Sequence, residues 1–246
     1  MNADDPTLID KLEAFLHLTT HHRGEPAGAY DDAAEGYDLF AAVWDRTVAA
    51  AALRRFEALL VARTPPGASV LDVAAGTGRR TEFILSHTDA ARVVALDASA
   101  GMLDQARRKI SDPRVEFVHG SAQSLPFPDD SFDVVCSTWL LSILDEPRAA
   151  VGEFLRVLKP GGTALYAYCS LPNSEAGELA TWLSRLEPEA NPLTHMLSAS
   201  EEPVHRCGLS TIERFALGFT TVVTLGKCCQ VAEAGLPCRF DLPTDG

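Results

Sequence analysis

The features of this chain most able to do chemistry are a turn of small residues and a carboxylate that follows the next strand. A strand-like apolar run ends at Val73, and residues 74–78 read Ala-Ala-Gly-Thr-Gly. A ligand can approach the backbone closely where side chains are this small, and the helix that follows begins with unpaired N–H groups. A second strand-like run ends in Asp97, 21 residues after Gly76, the spacing at which a carboxylate reaches a ribose hydroxyl pair. Together the two features predict a nucleoside-binding pocket.

Each feature taken alone has an ordinary explanation. Gly-Thr-Gly is a common turn, and an aspartate after a strand is a common helix N-cap. The type of nucleoside depends on the third glycine of the G-x-G-x-x-G pattern, and Thr81 occupies that position. The sequence therefore disfavours a dinucleotide site and, with it, a nucleotide-dependent oxidoreductase.

Length, composition and charge exclude several classes of function. The 246 residues, 46% of them hydrophobic, suffice for one large core with an appended cap. A formal net charge of −13 argues against nucleic acid, because neutralising phosphates needs clustered Lys and Arg. No apolar stretch approaches transmembrane length, and the N-terminus, Met-Asn-Ala-Asp-Asp-Pro, lacks the features of a signal peptide. We therefore expect a cytoplasmic protein without a membrane partner.

The cysteines and histidines do not predict a metal site. The six cysteines are expected to be reduced thiols, because no export signal precedes them. Cys228, Cys229 and Cys238 lie close together, but they form no C-x-x-C pair, so we expect no bound metal. His21 and His22 are adjacent in a polar break, where solvated surface is commoner than a base or a ligand.

Seven strand-like runs alternate with helical patterns along the chain. The runs are Val70 to Val73, Arg92 to Leu96, Arg114 to Val118, Phe132 to Ser137, Thr163 to Tyr168, Leu209 to Leu217 and Thr220 to Leu225. The first five predict a parallel, doubly wound α/β sheet that binds its ligand at the carboxyl ends of the strands. Only Gly218-Phe219 separates the last two, which predicts an antiparallel hairpin.

The remaining segments predict a cap, a cover and a tail. Residues 1–64 are assigned to an N-terminal helical cap, with an amphipathic helix over 4–18 and an Ala- and Leu-rich helix over 43–62. Residues 65–226 form the predicted core, and proline-interrupted residues 171–206 form a helical cover over the strand ends. Residues 227–246 are expected to be a poorly structured tail.

Several motifs occur in order at suitable spacing over residues 28–170. They are Val70-Leu71-Asp72-Val73-Ala74-Ala75-Gly76-Thr77-Gly78, Leu96-Asp97-Ala98-Ser99 with Met102-Leu103, Leu125-Pro126-Phe127 with Phe132-Asp133, and Arg156-Val157-Leu158-Lys159-Pro160-Gly161-Gly162. This set resembles the class I S-adenosylmethionine-dependent methyltransferases, in the branch that includes the ubiquinone and menaquinone C-methyltransferases. The resemblance implies a Rossmann-like, seven-stranded, mostly parallel sheet with one antiparallel strand. It also implies S-adenosylmethionine as cofactor and S-adenosylhomocysteine as product.

The resemblance further implies a set of cofactor-binding residues. Asp72, Ala74, Gly76 and Gly78 would line the methionine part, Asp97 would hold the ribose, and Ala98 and Met102 would flank the adenine. Ser121 stands where the family commonly has an acid that accepts from the adenine amino group, and Ala122 would offer its backbone N–H to the ring. Ser137 would meet the methionine amino group through its backbone carbonyl, and Trp139 would face the sulfur or the substrate. Tyr30 and Tyr37 would close over the cofactor, which makes residues 1–64 a cofactor lid as well as a cap. Taken without the resemblance, Met102, Trp139 and the tyrosines are ordinary core residues.

The function that the resemblance implies is methyl transfer to a small-molecule acceptor by in-line displacement. A sulfonium methyl is already a good electrophile, so a positioned base is optional and none is assigned. His17, His21, His22 and His195 are candidates only because they fall in segments that shape the acceptor pocket in this family. The alternative is a protein that binds S-adenosylmethionine without turnover, as a regulatory or scaffolding subunit. The acceptor, the atom methylated and the oligomeric state stay open.

Overall fold

A computed structural model describes residues 27–47, 49–171, 197, 209–215 and 219–227. Within them lie five α-helices, a 3₁₀ helix and seven strands. The helices are α1 (Ala27–Arg46), α2 (Ala50–Arg63), α3 (Arg79–His87), α4 (Ala100–Lys109) and α5 (Pro147–Val157), with a 3₁₀ turn at Leu141–Ile143. The strands are β1 (Ser69–Val73), β2 (Arg92–Asp97), β3 (Val115–His119), β4 (Phe132–Thr138), β5 (Leu158–Cys169), β6 (Leu209–Phe215) and β7 (Thr220–Gly226).

All seven strands of the described chain join one sheet, in the order β3-β2-β1-β4-β5-β7-β6. Strands β1 to β5 pair in parallel, and β7 runs antiparallel to both of its neighbours, β5 and β6. The connection between β6 and β7 is too short for the crossover that a parallel pair needs, which explains the hairpin. The predicted doubly wound sheet with one antiparallel strand is confirmed.

Both faces of the sheet are covered by apolar side chains. On one face, α5 contributes Ala150, Val151 and Phe154 to a cluster that includes Val135 and Tyr166. On the other face, helices α2 and α3 pack against β1, β4 and β5, with Phe56, Leu60 and Ile84 among the buried residues. A sheet buried on both sides needs continuous apolar strands rather than alternating ones, which is the pattern of the sequence.

The prediction of one helix over residues 43–62 is wrong, because the chain breaks between α1 and α2. Thr47 donates its hydroxyl to the carbonyl of Val43 at 2.8 Å, and the backbone N–H groups of Thr47 and Ala49 both donate to the carbonyl of Trp44. These bonds close the end of α1 without a proline or a glycine. The periodic Ala and Leu pattern runs through the break and so conceals it.

The fifth strand begins earlier than predicted, at Leu158 instead of Thr163. Its Lys-Pro-Gly-Gly stretch shifts the pairing with β4, since Phe132 pairs with Leu158 and Val134 already pairs with Thr163. A Cβ on Gly162 would lie 2.8 Å from the carbonyl oxygen of Asp133, so the close approach of the two strands needs a glycine there. The stretch is therefore an irregularity inside β5, and α5 has already ended at Val157.

Several predictions concern residues outside the described part of the chain. These are the helix over residues 4–18, most of the cover at 171–206, nearly all of the tail at 227–246, and Cys207, Cys228, Cys229 and Cys238. Cys136 and Cys169, which are described, are free thiols. A search of the described residues for groups of His, Cys, Asp and Glu that could hold a metal ion finds none. None of the described helices has the length and hydropathy needed to cross a membrane.

Candidate functional site

The carboxyl ends of β1 to β4 open into a cavity of about 500 Å³. Ten of the thirteen residues expected to bind the cofactor line it: Tyr30, Tyr37, Ala74, Gly76, Asp97, Ala98, Met102, Ser121, Ala122 and Trp139. A parallel sheet brings these strand ends to one edge, which explains why residues far apart in sequence meet there. We call the strand ends with Ala74, Gly76, Asp97 and Trp139 the floor, and helix α1 with Tyr30 and Tyr37 the wall.

Asp97 connects the glycine-rich turn to the end of β2. Its Oδ2 accepts from the backbone N–H of Gly76 at 2.7 Å, and its Oδ1 accepts from the N–H of Ser99 at 2.8 Å. A carboxylate oxygen can accept more than one hydrogen bond, so these contacts leave capacity for hydroxyl donors of a ligand. The turn itself is left-handed at Ala74 and Gly76, with φ values of 59° and 56°. Asp97 therefore holds the turn in shape at the place where a ribose would bind.

The wall presents two phenols to the cavity. The rings of Tyr30 and Tyr37 meet edge to face, with their centroids 6.0 Å apart. Burial, followed by the negative charge of Asp97, raises the pKa of Tyr30 to about 12. Burial together with the neighbouring Tyr30 and Asp45 also raises the pKa of Tyr37 far above its ordinary value. Both side chains are therefore neutral near pH 7, able to donate a hydrogen bond to a ligand.

Trp139, directly after β4, lies in a strained backbone conformation. Its φ is 65°, which is uncommon for a bulky residue, and its N–H donates to the carbonyl of Ala167 at 2.8 Å. The indole packs edge-on against Trp44 of α1, with ring centroids 6.1 Å apart. Strain of this kind persists only where the surroundings enforce it, and it concentrates at functional sites.

The loops after β2 and β3 form the other end of the cavity. Ser99 caps α4, since its hydroxyl accepts from the N–H of Met102 at 3.1 Å, and Met102 is almost fully buried. The Ser121 hydroxyl accepts from the N–H of Gln123 at 3.2 Å. A His119 ring nitrogen lies 2.8 Å from the carbonyl oxygen of Ala98, which joins the two loops. This end of the cavity combines the apolar side chain of Met102 with backbone and hydroxyl groups.

Three of the expected residues lie outside the cavity lining: Asp72, Gly78 and Ser137. Ser137 is buried, and its hydroxyl has no hydrogen-bond partner within the described chain. A Cβ on Gly78 would come within 2.7 Å of Ile110 Cδ1 and 3.1 Å of Ala106 Cβ, so this glycine lets the turn pack against α4. Side chains alternate along a strand, so a residue can share a strand end with the site and still point away from it.

Asp72 lies beneath the turn. The hydroxyl of Thr81 donates to its Oδ2 at 2.7 Å, and Cys136 Sγ lies 3.9 Å from its Oδ1. Burial raises the pKa of Asp72 to about 6, against the opposing effects of the Thr81 hydrogen bond and the charge of Arg80. The carboxyl group thus supports the start of α3 from below.

Sequence reasoning did not assign eight further lining residues to the site. They are Leu96, Ser99, Gly120, Gln123, Thr138, Leu140, Ile143 and Leu144. Leu140, Ile143 and Leu144 surround the 3₁₀ turn after Trp139 and make one end of the cavity apolar. The sequence signal that could have identified these three residues is an apolar cluster directly after a strand end, where a loop is ordinarily polar. His17, His21, His22 and His195 are not among the described residues.

Comparisons with known proteins identify the family. A methyltransferase domain matches residues 71–166. A demethylmenaquinone methyltransferase of Beutenbergia cavernae is 35% identical over 176 residues, which cover 72% of this chain and 70% of that protein. The chain belongs to the S-adenosylmethionine-dependent methyltransferases. The resemblance found in the sequence is confirmed.

Two further likenesses complete the comparison. A demethylmenaquinone methyltransferase of Renibacterium salmoninarum is 42% identical over 151 residues, and the match spans 60% of the length of each chain. A solved putative methyltransferase from Bacillus halodurans is 28% identical with a TM-score of 0.54, over 65% of this chain and 71% of that one. The methyltransferase fold accounts for the sheet order and for the cavity at its carboxyl edge.

Proposed function

We propose that the protein transfers a methyl group from S-adenosylmethionine to a ring carbon of a quinol-like small molecule. The observation that carries the proposal is the hydrogen bond from the Gly76 N–H to Asp97, which holds the glycine-rich turn beside a carboxylate at the carboxyl edge of the sheet. The class of acceptor is taken from relatives named as demethylmenaquinone methyltransferases. The aromatic and apolar end of the cavity, at Trp139, Leu140 and Ile143, suits a flat, apolar acceptor.

The residues present fit the cofactor of this family. The cavity is within the usual size range of small-molecule sites. A Cβ added to Gly76 would lie 4.0 Å from Tyr37 Cε1, so the glycine leaves space between floor and wall. Asp97 would hold the ribose hydroxyls, Met102 and Ala98 would contact the adenine, and Ala74 and Gly76 would border the methionine part. Ser121 would accept from the adenine amino group through its remaining lone pair.

Positioning is the main contribution of this chain to the reaction. When bound, S-adenosylmethionine supplies an electrophilic methyl group. The floor and the wall would hold the acceptor in line with that group and exclude water from it. Among the described residues that line the cavity, Asp97 carries the single carboxylate, and it is already engaged with the turn. We therefore assign no base. The acidity of the reduced quinone itself would have to activate it as the nucleophile.

Calorimetric titration with S-adenosylhomocysteine tests the cofactor site, with NAD as the comparison ligand. We expect a Kd of about 10 μM or tighter for S-adenosylhomocysteine, no measurable binding of NAD, and at least a hundredfold loss in Asp97→Ala. Asp97→Asn retains a side-chain oxygen that can support the turn, so it distinguishes a lost ribose contact from a collapsed loop. Asp104→Asn, on the exposed side of α4, is the matched control and should bind normally.

A turnover assay then tests methyl transfer itself. Labelled S-adenosylmethionine and a reduced demethylated quinone should give a labelled product in the wild type and none in Asp97→Ala. Tight binding of S-adenosylhomocysteine without transfer to any quinol, phenol or amine acceptor would favour a non-catalytic regulatory subunit instead. Failure to bind S-adenosylhomocysteine would refute the proposal as a whole.

A further inference from the structure

Helix α1 supplies the wall of the cavity, and few of its side chains in the described part of the helix are buried. Among its described side chains, only Ala41 is buried, while Leu39 and Val43 are 47% and 55% exposed. Helices in proteins are ordinarily stabilised by burying an apolar face. Other contacts must therefore set the distance between Tyr37 and the glycine-rich turn.

Asp38, the residue after Tyr37, makes such a contact. Its Oδ1 accepts from the hydroxyl of Thr77, and its Oδ2 forms an ion pair with the ammonium group of Lys109. The same ammonium group lies 3.4 Å from the backbone carbonyl oxygen of Thr77. Thr77 is 1% exposed and lies between Gly76 and Gly78, so this contact reaches the centre of the turn. One carboxylate thus joins α1, the turn and the end of α4.

A second attachment leads to the same turn. Asp45 of α1 forms an ion pair with Arg79 at 2.6 Å and lies 3.6 Å from Arg80, and both arginines follow Gly78 directly. Burial by itself would raise the pKa of Asp38, but hydrogen bonds from Lys109 and Thr77 outweigh it and hold that pKa below its usual value. Asp38 is therefore ionised at neutral pH, and its bonds are charge-assisted.

We propose that Asp38 is a positioning residue for methyl transfer, which acts through Thr77 and Lys109 to hold the tyrosine wall over the glycine-rich turn. This inference rests on the proposed function, because the ligand held between wall and turn is the cofactor. A simple ion pair on the surface would not have this effect, since such pairs contribute little. Asp38 differs because the hydroxyl that it binds is buried inside the turn. Its loss should loosen the cofactor more than it destabilises the fold.

The test compares variants that remove single members of the bridge. Thr77→Val removes the hydroxyl and keeps the branched shape, Thr77→Ser keeps the hydroxyl, and Asp38→Asn removes the charge. Asp104→Asn breaks an ion pair with Arg107 elsewhere on the surface and is the matched control. We expect Thr77→Val and Asp38→Asn to raise the dissociation rate of S-adenosylhomocysteine about tenfold. Thr77→Ser and Asp104→Asn should stay within about twofold of the wild type.

A second readout follows the wall itself without any ligand. The chain has four tyrosines, and Tyr166 and Tyr168 are fully buried in the sheet core. A phenol that ionises near pH 10 while the protein is still folded therefore reports Tyr30 or Tyr37. Ultraviolet titration near 295 nm should show no such phenol in the wild type and at least one in Asp38→Asn.

The outcomes separate this inference from the proposed function. Wild-type dissociation rates and tyrosine titration in both Asp38→Asn and Thr77→Val would overturn the role of Asp38. A wild-type protein that does not bind S-adenosylhomocysteine would refute the proposed function, while the tyrosine titration would still test the position of the wall. If Thr77→Val fails to fold, Lys109→Gln replaces it, with the same expected increase in dissociation rate.

Discussion

The floor of the cavity stands on a sheet whose strands are buried on both faces, whereas the wall is a helix whose described side chains attach it mainly through polar contacts. Beneath the floor lie fully buried residues such as Leu71, Val135 and Phe154. Among the described contacts, Asp38, Asp45 and the ring contact of Trp44 with Trp139 attach the wall to the rest of the molecule. Burial of apolar area across a whole sheet contributes far more free energy than a few hydrogen bonds and ion pairs do. The floor should therefore unfold only with the whole domain, and the wall should open by itself.

This difference suits a protein that has to admit a ligand as large as a nucleoside. A rigid floor keeps the carboxylate, the turn and the strained tryptophan in place, and a wall of low local stability lets the ligand enter and leave. Four experiments would test this contrast, and they are described from the largest expected effect to the smallest.

Phe154→Ala should cause the largest loss of stability, because it removes a fully buried ring that packs edge to face against Tyr166. We expect the free energy of unfolding in urea to fall by about 3–5 kcal/mol. The affinity of the folded fraction for S-adenosylhomocysteine should change little, since Phe154 does not line the cavity. A loss of S-adenosylhomocysteine binding without a loss of stability would show that packing in the sheet core controls the shape of the floor.

Asp72 should make stability fall as pH rises. Its folded pKa of about 6 lies above the value of 3.8 for an ordinary aspartate, so the folded state binds the extra proton between these values. Stability contributed by protonated Asp72 is complete below about pH 4 and is lost as pH passes 6, a change of about 3 kcal/mol. Urea unfolding of the wild type and Asp72→Asn between pH 4 and 7 isolates this effect. A pH-independent difference between the two proteins would contradict it.

Gly78→Ala tests how closely the turn packs on α4. Gly78 has a φ of 87°, and a Cβ added there would lie 2.7 Å from Ile110 Cδ1. Gly67 has a similar φ of 78°, but a Cβ added there would have no atom within 4 Å. Gly67→Ala therefore measures the backbone strain alone, about 1 kcal/mol, and Gly78→Ala should cost roughly twice as much. Thermal unfolding of the pair gives the difference. Equal losses would mean that Ile110 moves aside freely.

Hydrogen exchange should show that the free energy of local opening is smallest in the wall. We expect amides of α1 to exchange through local opening at a few kcal/mol below the global value, while amides of β1 and β4 exchange only by global unfolding. Phe154→Ala should reduce the protection of the strands and leave α1 unchanged. Mass spectrometry of peptides that cover residues 27–46 and 132–138 makes this comparison. Parallel changes in both peptides would show that the wall unfolds together with the floor.

The sequence was most informative for the floor. Strand ends and turn residues have local signals, because a glycine at positive φ or a carboxylate after a strand acts within a few residues of its own position. Ala74, Gly76 and Asp97 were placed in this way, and the antiparallel hairpin of the last two strands followed from the short connection between them. Which way a strand side chain points depends on register, and the motif that includes Asp72 does not reveal that its side chain binds Thr81 instead of lining the cavity.

The sequence was least informative for the wall. The break after Arg46 depends on hydrogen bonds of Thr47 that no breaker residue announces. The partners of Asp38 are 39 and 71 residues away, and no local pattern connects them. Contacts of this kind follow from the packing of α1 on α4, which helical periodicity does not specify. The cofactor-binding roles of the lining residues stay predictions until a ligand is measured.

The position of β7 has a consequence for synthesis of the chain. Strand β5 is complete at Cys169, but its partner begins only at Thr220, so about fifty residues must leave the ribosome before the two can pair. At ordinary translation rates this leaves an apolar strand edge open for about 3–10 s. During that interval the edge can capture another nascent chain. Variants that weaken β7 should therefore reduce the yield of soluble protein more than the stability of the finished molecule.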